Sequence, residues 1–131
     1  MKSFDVRGIT IGDGGLTIIA GPCMAESLEL CQRIAGTMQE LCAELGFNYI
    51  FKASFDKANR TSANSLRGHG IDEGLEILRK IKADFDLPTT TDIHLPEQAA
   101  IAAQTVDLLQ IPAFLCRQSD LLEAAAILAS R

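Results

Sequence analysis

The sequence predicts an α/β fold in which the strands of one parallel sheet alternate with helices. Two observations lead to this prediction. Four short apolar or β-branched runs are each followed by a run with helical periodicity, and strands that alternate strictly with helices pack as a parallel sheet with crossover helices. The chain also has 131 residues and no long linker or low-complexity segment, which is the size of one ordinary domain.

The first 15 residues precede this regular alternation. The segment MKSFDVRGITIGDGG alternates loosely between apolar and polar residues and contains the glycine-rich run 12–15. Glycines favour the tight turns that join antiparallel strands, so we expect a small hairpin around this run. Residues 1–15 are therefore predicted as an N-terminal hairpin or cap, and residues 16–131 as the β/α part of the chain.

The first strand and the first helix are marked at their ends. The run LTIIA (Leu16–Ala20) ends at Gly21-Pro22, and Ser27 is a good N-cap residue for the helix that follows. Gly46 is a suitable C-terminal stop. Between these ends, apolar residues recur at spacings of three and four, as on an amphipathic helix. These residues are Cys31, Ile34, Ala35, Met38, Leu41, Cys42 and Leu45.

The same alternation continues along the rest of the chain. A long polar loop separates the second strand from the second helix, and Pro96 is tolerated in the first turn of the third helix. Ser119 caps the fourth helix. The predicted strands are Asn48–Ala53, Pro88–Asp92 and Leu108–Ile111, and the predicted helices are Asp72–Phe85, Pro96–Thr105 and the segment from Ser119 onward.

Composition and charge exclude several classes of protein. The net charge of −5 disfavours nucleic acid as a partner, because phosphate-backbone binding needs lysines and arginines spread over a whole face. No apolar run approaches the ~20 residues of a membrane helix, and the start lacks the layout of a signal peptide. The four cysteines form neither zinc-ribbon pairs nor a dense disulfide framework. We therefore expect no membrane partner and a cytoplasmic location.

One short segment is basic in this acidic chain. FKASFDKANRTS (51–62) gathers Lys52, Lys57 and Arg60, which suggests a small anionic ligand. Polar residues also follow the ends of the other predicted strands. They are Cys23, Asp92, Gln110 and Arg117. Because ligands bind at the carboxyl ends of the strands in parallel α/β folds, we expect one site at this end of the sheet.

The loops that carry these residues resemble those of a known enzyme family. AGPCMAES, FKASFDKANRTS, LRGHG, TTTDIH and QIPAFLCRQSDLLEAAA are similar to the first half of the 3-deoxy-D-manno-octulosonate 8-phosphate synthases. The resemblance implies the first four β/α units of a TIM (β/α)8 barrel with a short N-terminal hairpin. It also implies an enzyme of lipopolysaccharide Kdo biosynthesis that condenses phosphoenolpyruvate with arabinose 5-phosphate and water and releases phosphate.

The resemblance assigns roles to matching residues. It implies that Lys57 and Asp92 are catalytic, with Lys57 near the reacting carbons and Asp92 bonded to a sugar hydroxyl or to the reacting water. An arginine such as Arg60 suits the sugar phosphate, because its planar group donates two parallel hydrogen bonds. The implied substrate-binding residues are Lys52, Lys57, Asn59, Arg60, Thr61, Gln110, Ala113, Phe114 and Arg117.

The resemblance also implies a metal and an oligomer. Cys23 matches a position at which the metal-dependent members carry cysteine, and the other ligands would lie outside this chain. Zinc, iron, manganese or cobalt suits such a site. Without the resemblance, a lone cysteine is more often a core residue, as we predict for Cys31 and Cys42. The loop with Phe114 and Arg117 reaches a neighbouring subunit in the family, which implies a homo-oligomer, usually a tetramer.

Two other interpretations stay open. A heptulosonate phosphate synthase shares AGPC and ES, but KANR replaces the KPRTSP-like run expected there. A non-catalytic half barrel that binds phosphorylated ligands or subunits is the second, because a full barrel needs about 250 residues. We therefore expect this chain alone to associate and to be inactive or feebly active. His94, which follows Asp92, is a candidate acid or base, but we favour a structural role in which it satisfies free backbone groups at the entry of the third helix.

Overall fold

The computed structural model describes residues 2–56 and 70–129. Within these ranges, strands and helices alternate from the third strand onward. The strands are β1 (Phe4–Val6), β2 (Ile9–Ile11), β3 (Thr17–Ala20), β4 (Asn48–Lys52), β5 (Thr89–Asp92) and β6 (Leu108–Gln110). The helices are α1 (Leu28–Leu45), α2 (Ile71–Phe85), α3 (Gln98–Ala103) and α4 (Ser119–Ala129), with a 3₁₀ turn at Ala113–Leu115.

Four of these strands form one parallel sheet in the order β3-β4-β5-β6. Each strand pairs with the next strand of the sequence, and the helices connect them. The prediction of an α/β fold with a parallel sheet is therefore confirmed. None of the helices in the described ranges is long and apolar enough to span a membrane.

The N-terminal strands form a separate antiparallel pair. Phe4 pairs with Ile11 and Val6 with Ile9, so the chain reverses at Arg7–Gly8. Both turn residues have positive φ angles, 47° and 83°, as the tightest hairpin turns require. The sequence prediction centred the hairpin on residues 12–15, but that glycine-rich run follows β2. The arginine side chain also contacts Asp86 at 2.8 Å, which joins the pair to the end of α2.

Helix α1 begins and ends where the sequence predicts. The Ser27 side chain accepts a hydrogen bond from the Leu30 backbone N–H at 3.2 Å, and Gly46 has a φ of 70° at the C-cap. Cys31 and Cys42 are buried, as predicted. Burial of Cys31, with the nearby negative charge of Glu26, raises the pKa of its thiol to about 11, so the thiol stays protonated at neutral pH. The predicted apolar stripe is buried only in part, because Leu41 is 45% exposed and Leu45 is 57% exposed.

Helix α3 is shorter than predicted at both ends. It covers Gln98–Ala103, whereas the sequence indicates a helix from Pro96 to Thr105. The residues before it form turns, with the Ala99 N–H donating to the Pro96 carbonyl at 3.2 Å. The loop after β5 therefore reaches further than the sequence pattern suggests.

One face of the parallel sheet packs against the helices and holds the main apolar core. Tyr49 and Phe51 of β4 belong to this core, together with Leu78 and Ile81 of α2. Phe51, Leu78 and Ile81 have no exposed surface. Burial of such side chains is the main term that stabilises a small α/β fold.

The other sheet face carries the polar residues of the predicted site. Side chains alternate between faces along a strand, so Ile50 and Lys52 lie opposite the core residue Phe51. Thr90 is the register partner of Lys52, which places Asp92 on the same face two residues later. Ile19, the register partner of Ile50, is 46% exposed on this face.

Asp107 joins three parts of the fold near the start of β6. Its Oδ2 accepts a hydrogen bond from the Thr89 backbone N–H at 3.0 Å, and its Oδ1 accepts one from the Lys82 ammonium at 2.8 Å. The same ammonium donates to the Thr105 carbonyl at 3.2 Å. Lys82 lies in the last turn of α2. The carboxylate therefore fixes α2, β5 and the turn before β6 relative to one another.

We expect Asp107→Ala to lower the free energy of unfolding by about 1–3 kcal/mol. The reason is that the substitution leaves the Thr89 N–H and the Lys82 ammonium without their acceptor in a largely buried position. Urea denaturation measures the change. Glu76→Ala is the matched control, because it removes an exposed carboxylate bound to Arg79 at 2.9 Å and should change stability little. Equal small losses of stability in both variants would contradict the role of Asp107 in joining α2, β5 and the turn before β6.

Candidate functional site

The carboxyl ends of β4, β5 and β6 surround a cavity of about 290 Å³. Strand β4 contributes Lys52, and β5 contributes Asp92 directly opposite Gln110 of β6. The structure thus brings together five of the residues implied by the resemblance, with His94 and Pro112 beside them. The five are Lys52, Asp92, Gln110, Ala113 and Phe114.

The loops after β3 and β4 are joined beside this cavity. Met24 forms a parallel bridge with Ser54, and the Ala25 backbone N–H donates to the Ser54 carbonyl at 2.9 Å. The Ser54 hydroxyl then donates to Oδ1 of Asp92. Through this one serine, the loops that follow β3 and β4 are connected to the end of β5. The positions of the polar groups therefore depend on the sheet as a whole.

Asp92 is a buried carboxylate that is held in its charged form. Only 6% of the residue is exposed. Burial raises the pKa of a carboxyl group, but hydrogen bonds from His94 and Ser54 and the positive charge of Lys52 outweigh this effect. Together they lower the pKa of Asp92 from 3.8 to about 2. At neutral pH, the cavity contains a fixed negative charge beside the lysine.

His94 contacts Asp92 through its ring, and this contact corrects the sequence interpretation. Its Nε2 lies 2.7 Å from Oδ2 of Asp92. The backbone N–H groups at the entry of α3, those of His94 and Leu95, instead donate to Oε1 of Gln98 at 2.9 and 3.0 Å. The prediction that the histidine satisfies free backbone groups is therefore wrong, because a glutamine on α3 already accepts these bonds.

The sequence interpretation missed Ser54 and His94 as parts of the site. Ser54 has no exposed surface and His94 is 8% exposed. A signal was available, because residues two apart in extended backbone lie on one side. Ser54 stands two residues after Lys52, and His94 two residues after Asp92. The sequence could not show that these two pairs meet.

Several predicted site residues lie outside the cavity or outside the described ranges. Arg117 is exposed and is not among the residues that line the cavity. The remaining predicted residues fall between the two described ranges. They are Lys57, Asn59, Arg60 and Thr61.

Cys23 fits the chemistry of a metal ligand but does not complete a site. Its side chain is exposed with a free thiol, which disfavours the alternative of a core cysteine. Across residues 2–56 and 70–129, no three His, Cys, Asp or Glu side chains gather closely enough to hold a metal ion. A metal at Cys23 would need ligands from beyond these residues, since protein sites for zinc and similar metals use three or four protein ligands.

The protonation of Asp92 should make stability depend on pH in the acid range. Because the folded pKa is lower than the unfolded one, the carboxylate stabilises the fold fully above pH ~4, and this contribution is lost as the pH falls to about 2. We expect Asp92→Asn to lower the free energy of unfolding at pH 7 on the order of 2 kcal/mol and to flatten this acid dependence.

Urea denaturation at a series of pH values measures both effects. Asp86→Asn is the control, because it removes a carboxylate that is 88% exposed and should leave the acid dependence as it is. An acid dependence that survives in Asp92→Asn would assign it to other groups.

Comparison with known proteins places this cavity in a family context. A model described as the DAHP synthetase I family matches residues 2–130. The 2-dehydro-3-deoxyphosphooctonate aldolase of Rhizobium meliloti is 56% identical over 111 residues, which are 85% of this chain and 40% of the relative. The proteins of the same name from a Synechococcus strain and Fusobacterium nucleatum are 53% and 52% identical. They are matched over 89% and 93% of this chain and 42% and 46% of their own lengths. The chain thus spans about half the length of the curated relatives it matches.

Proposed function

Because this chain belongs to the DAHP synthetase I family, we propose that it supplies the first half of a cytoplasmic 3-deoxy-8-phosphooctulonate synthase. This enzyme condenses phosphoenolpyruvate with D-arabinose 5-phosphate and water, and it releases phosphate. The observation that carries the proposal is the cavity in which Lys52, Asp92 and Gln110 meet at the ends of three parallel strands. The names of relatives at 52–56% identity support the same reaction.

The sheet suits the first four β/α units of a TIM (β/α)8 barrel. In such a barrel, one sheet face packs on the helices and the other faces the interior, and the site lies at the carboxyl ends of the strands. Lys52 and Asp92 lie on the face turned away from the helical core, which corresponds to the barrel interior. The antiparallel pair of β1 and β2 forms the cap at residues 1–15.

The charges around the cavity fit two phosphorylated substrates. Lys52 offers an ammonium group to phosphoenolpyruvate, which carries a carboxylate and a phosphate, and cations placed in advance stabilise such charge. Gln110 and the Ala113 backbone contact the same substrate. Asp92 accepts a hydrogen bond from a sugar hydroxyl or from the water that joins the reaction. The family resemblance assigns Lys57 a catalytic role at the reacting carbons.

The sugar and its phosphate are bound by the segment after β4 and by the loop after β6. Arg60 takes the phosphate through two parallel hydrogen bonds, with Asn59 and Thr61 on the sugar. Phe114, which is 56% exposed, and Arg117 reach the site of a neighbouring subunit, so the enzyme works as a homo-oligomer, with a tetramer as the expected form. Cys23 contributes one thiolate to a divalent metal, and bound metal would act as a Lewis acid on an oxygen of the substrates.

A phosphate-release assay tests the reaction. Phosphoenolpyruvate is supplied with arabinose 5-phosphate or with erythrose 4-phosphate. The assay is run on this chain and on the chain joined to the second half of the Rhizobium meliloti relative. We expect the joined protein to release phosphate with arabinose 5-phosphate and not with erythrose 4-phosphate. The opposite preference would indicate a heptulosonate phosphate synthase.

Calorimetry on the chain alone tests the remaining alternative, a non-catalytic half barrel. Binding of phosphoenolpyruvate to the chain, without phosphate release by either protein, would favour a half barrel that binds phosphorylated ligands without turnover. Phosphate release by the joined protein would exclude that alternative.

A further inference from the structure

We propose that Ser54 and His94 are positioning residues that hold Asp92 as a charged hydrogen-bond acceptor and prevent it from acting as the proton-accepting base of the site. The inference rests on the proposed function for the identity of the group that Asp92 binds, a substrate hydroxyl or water. The state of Asp92 itself follows from the geometry of the three side chains.

Both oxygens of the Asp92 carboxylate have a hydrogen-bond donor. The Ser54 hydroxyl donates to Oδ1, and Nε2 of His94 lies 2.7 Å from Oδ2. All three residues are buried. An ionised carboxylate has about four acceptor positions, so these two bonds fix its plane and leave acceptor capacity for a ligand. The cavity on which Asp92 borders is also lined by Lys52 and Gln110.

The surroundings of His94 determine which ring nitrogen carries the proton. Its Nδ1 is buried and has no hydrogen-bond partner in the described parts of the chain. The ring packs against Phe55 with 5.8 Å between the ring centres. Among the described residues, a proton on Nδ1 would find no acceptor and would be a buried, unsatisfied N–H, which is costly. A ring proton on Nε2 is therefore favoured over one on Nδ1, and a proton on Nε2 is donated to Asp92.

The loop itself is held in the position that this bond needs. Oε1 of Gln98 accepts from the backbone N–H groups of both His94 and Leu95, which anchors the histidine to α3. Ser54 is anchored on its other side by the bridge to Met24. Neither donor has to move to reach the carboxylate.

Two fixed donors make Asp92 a weak base. Hydrogen bonds to the charged form of a carboxylate favour that form, and an efficient general base needs a pKa near the working pH. The charged or titratable groups of the described residues that act on Asp92 are Lys52 from β4 and His94 from its own loop, and both favour the carboxylate. Strand β6 contributes only the neutral Gln110. Another group must therefore accept any proton that leaves the substrates or the water.

Nuclear magnetic resonance on the isotope-labelled chain tests this inference directly. We measure the ring ¹⁵N shifts of His94 at neutral pH and the Cγ shift of Asp92 from pH 8 downward. In the unaltered chain, we expect a proton on Nε2 of His94 and an Asp92 that stays ionised over the range in which the fold persists. Ser54→Ala and His94→Leu should each raise the apparent pKa of Asp92 by about one unit or more.

Two variants separate loss of a donor from a general disturbance. Thr91→Val is the matched control, because this buried neighbour of Asp92 has a hydroxyl without a hydrogen-bond partner in the described parts of the chain. It should leave the titration of Asp92 unchanged. His94→Gln keeps an N–H donor at a similar reach and should restore most of the low pKa that His94→Leu loses.

Specific results would overturn the inference. They are a proton on Nδ1 of His94 in the unaltered chain, a titration of Asp92 near neutral pH, or donor variants that titrate like Thr91→Val. The ring shifts of the unaltered chain decide the question even where a variant does not fold. Because no turnover is required, a failed phosphate-release assay would count against the proposed reaction and not against this arrangement.

Discussion

Gly21→Ala is expected to destabilise the chain by more than ~3 kcal/mol, at the upper end of the range for overpacked positions. A Cβ atom at this position would lie 1.8 Å from the Lys52 carbonyl oxygen and 2.8 Å from the carbonyl carbon. Both atoms belong to the backbone of β4, so no side-chain rotation can relieve the clash. The end of β3 would have to separate from β4 at the residue that we propose for phosphoenolpyruvate.

Thermal and urea denaturation measure this loss, and Gly15→Ala is the control at the other end of β3. There, the nearest atom to an added Cβ is the Asp13 side chain at 3.2 Å, which can move. The control should stay within about 1 kcal/mol of the original chain. If Gly21→Ala were as stable as the original chain, this result would contradict the close approach of β3 to β4 at this position.

Lys52→Gln is expected to weaken the binding of phosphoenolpyruvate by roughly 10- to 100-fold, the usual effect of losing a charged hydrogen bond. The substitution removes the positive charge that faces the cavity and keeps a polar side chain of similar length. It also removes the lysine charge that helps to keep Asp92 ionised. Isothermal titration calorimetry of the chain with phosphoenolpyruvate gives the change in Kd.

Lys80→Gln is the matched control for charge. It removes the same charge from an exposed position on α2, where the ammonium lies 3.8 Å from Glu76, and it should leave the Kd almost unchanged. Equal weakening in both variants would indicate that net charge, and not the cavity, controls binding. An unchanged Kd for Lys52→Gln would remove this residue from the proposed site.

Most of the fold was predictable from the sequence because its signals are local. The side chain of Ser27 caps the start of α1, and Gly46 in the left-handed conformation caps its end. Both caps act on backbone groups only a few residues away. Short runs of apolar and polar residues likewise indicate the order of strands and helices, and the parallel sheet follows from their alternation. The least accurately predicted helix was α3, whose entry depends on Gln98 and on the turns around Pro96.

The site was predictable only as a set of residues near one edge. Lys52, Asp92 and Gln110 follow from the rule that strand ends meet at one end of a parallel sheet. The bond from Ser54 to Asp92 joins residues 38 positions apart, and no local pattern indicates it. His94 was assigned to the backbone because the sequence does not show that Gln98 occupies that role.

Local sequence patterns were enough to predict the strands and helices, the family resemblance and the kinds of side chain at the strand ends. These properties depend on backbone preferences and residue chemistry that act over a few positions. The folded chain was needed to show that Gly21 lies against the Lys52 backbone and that Asp92 is held by two donors. Such contacts depend on the distance between separate strands, which is set by packing of the whole sheet against its helices.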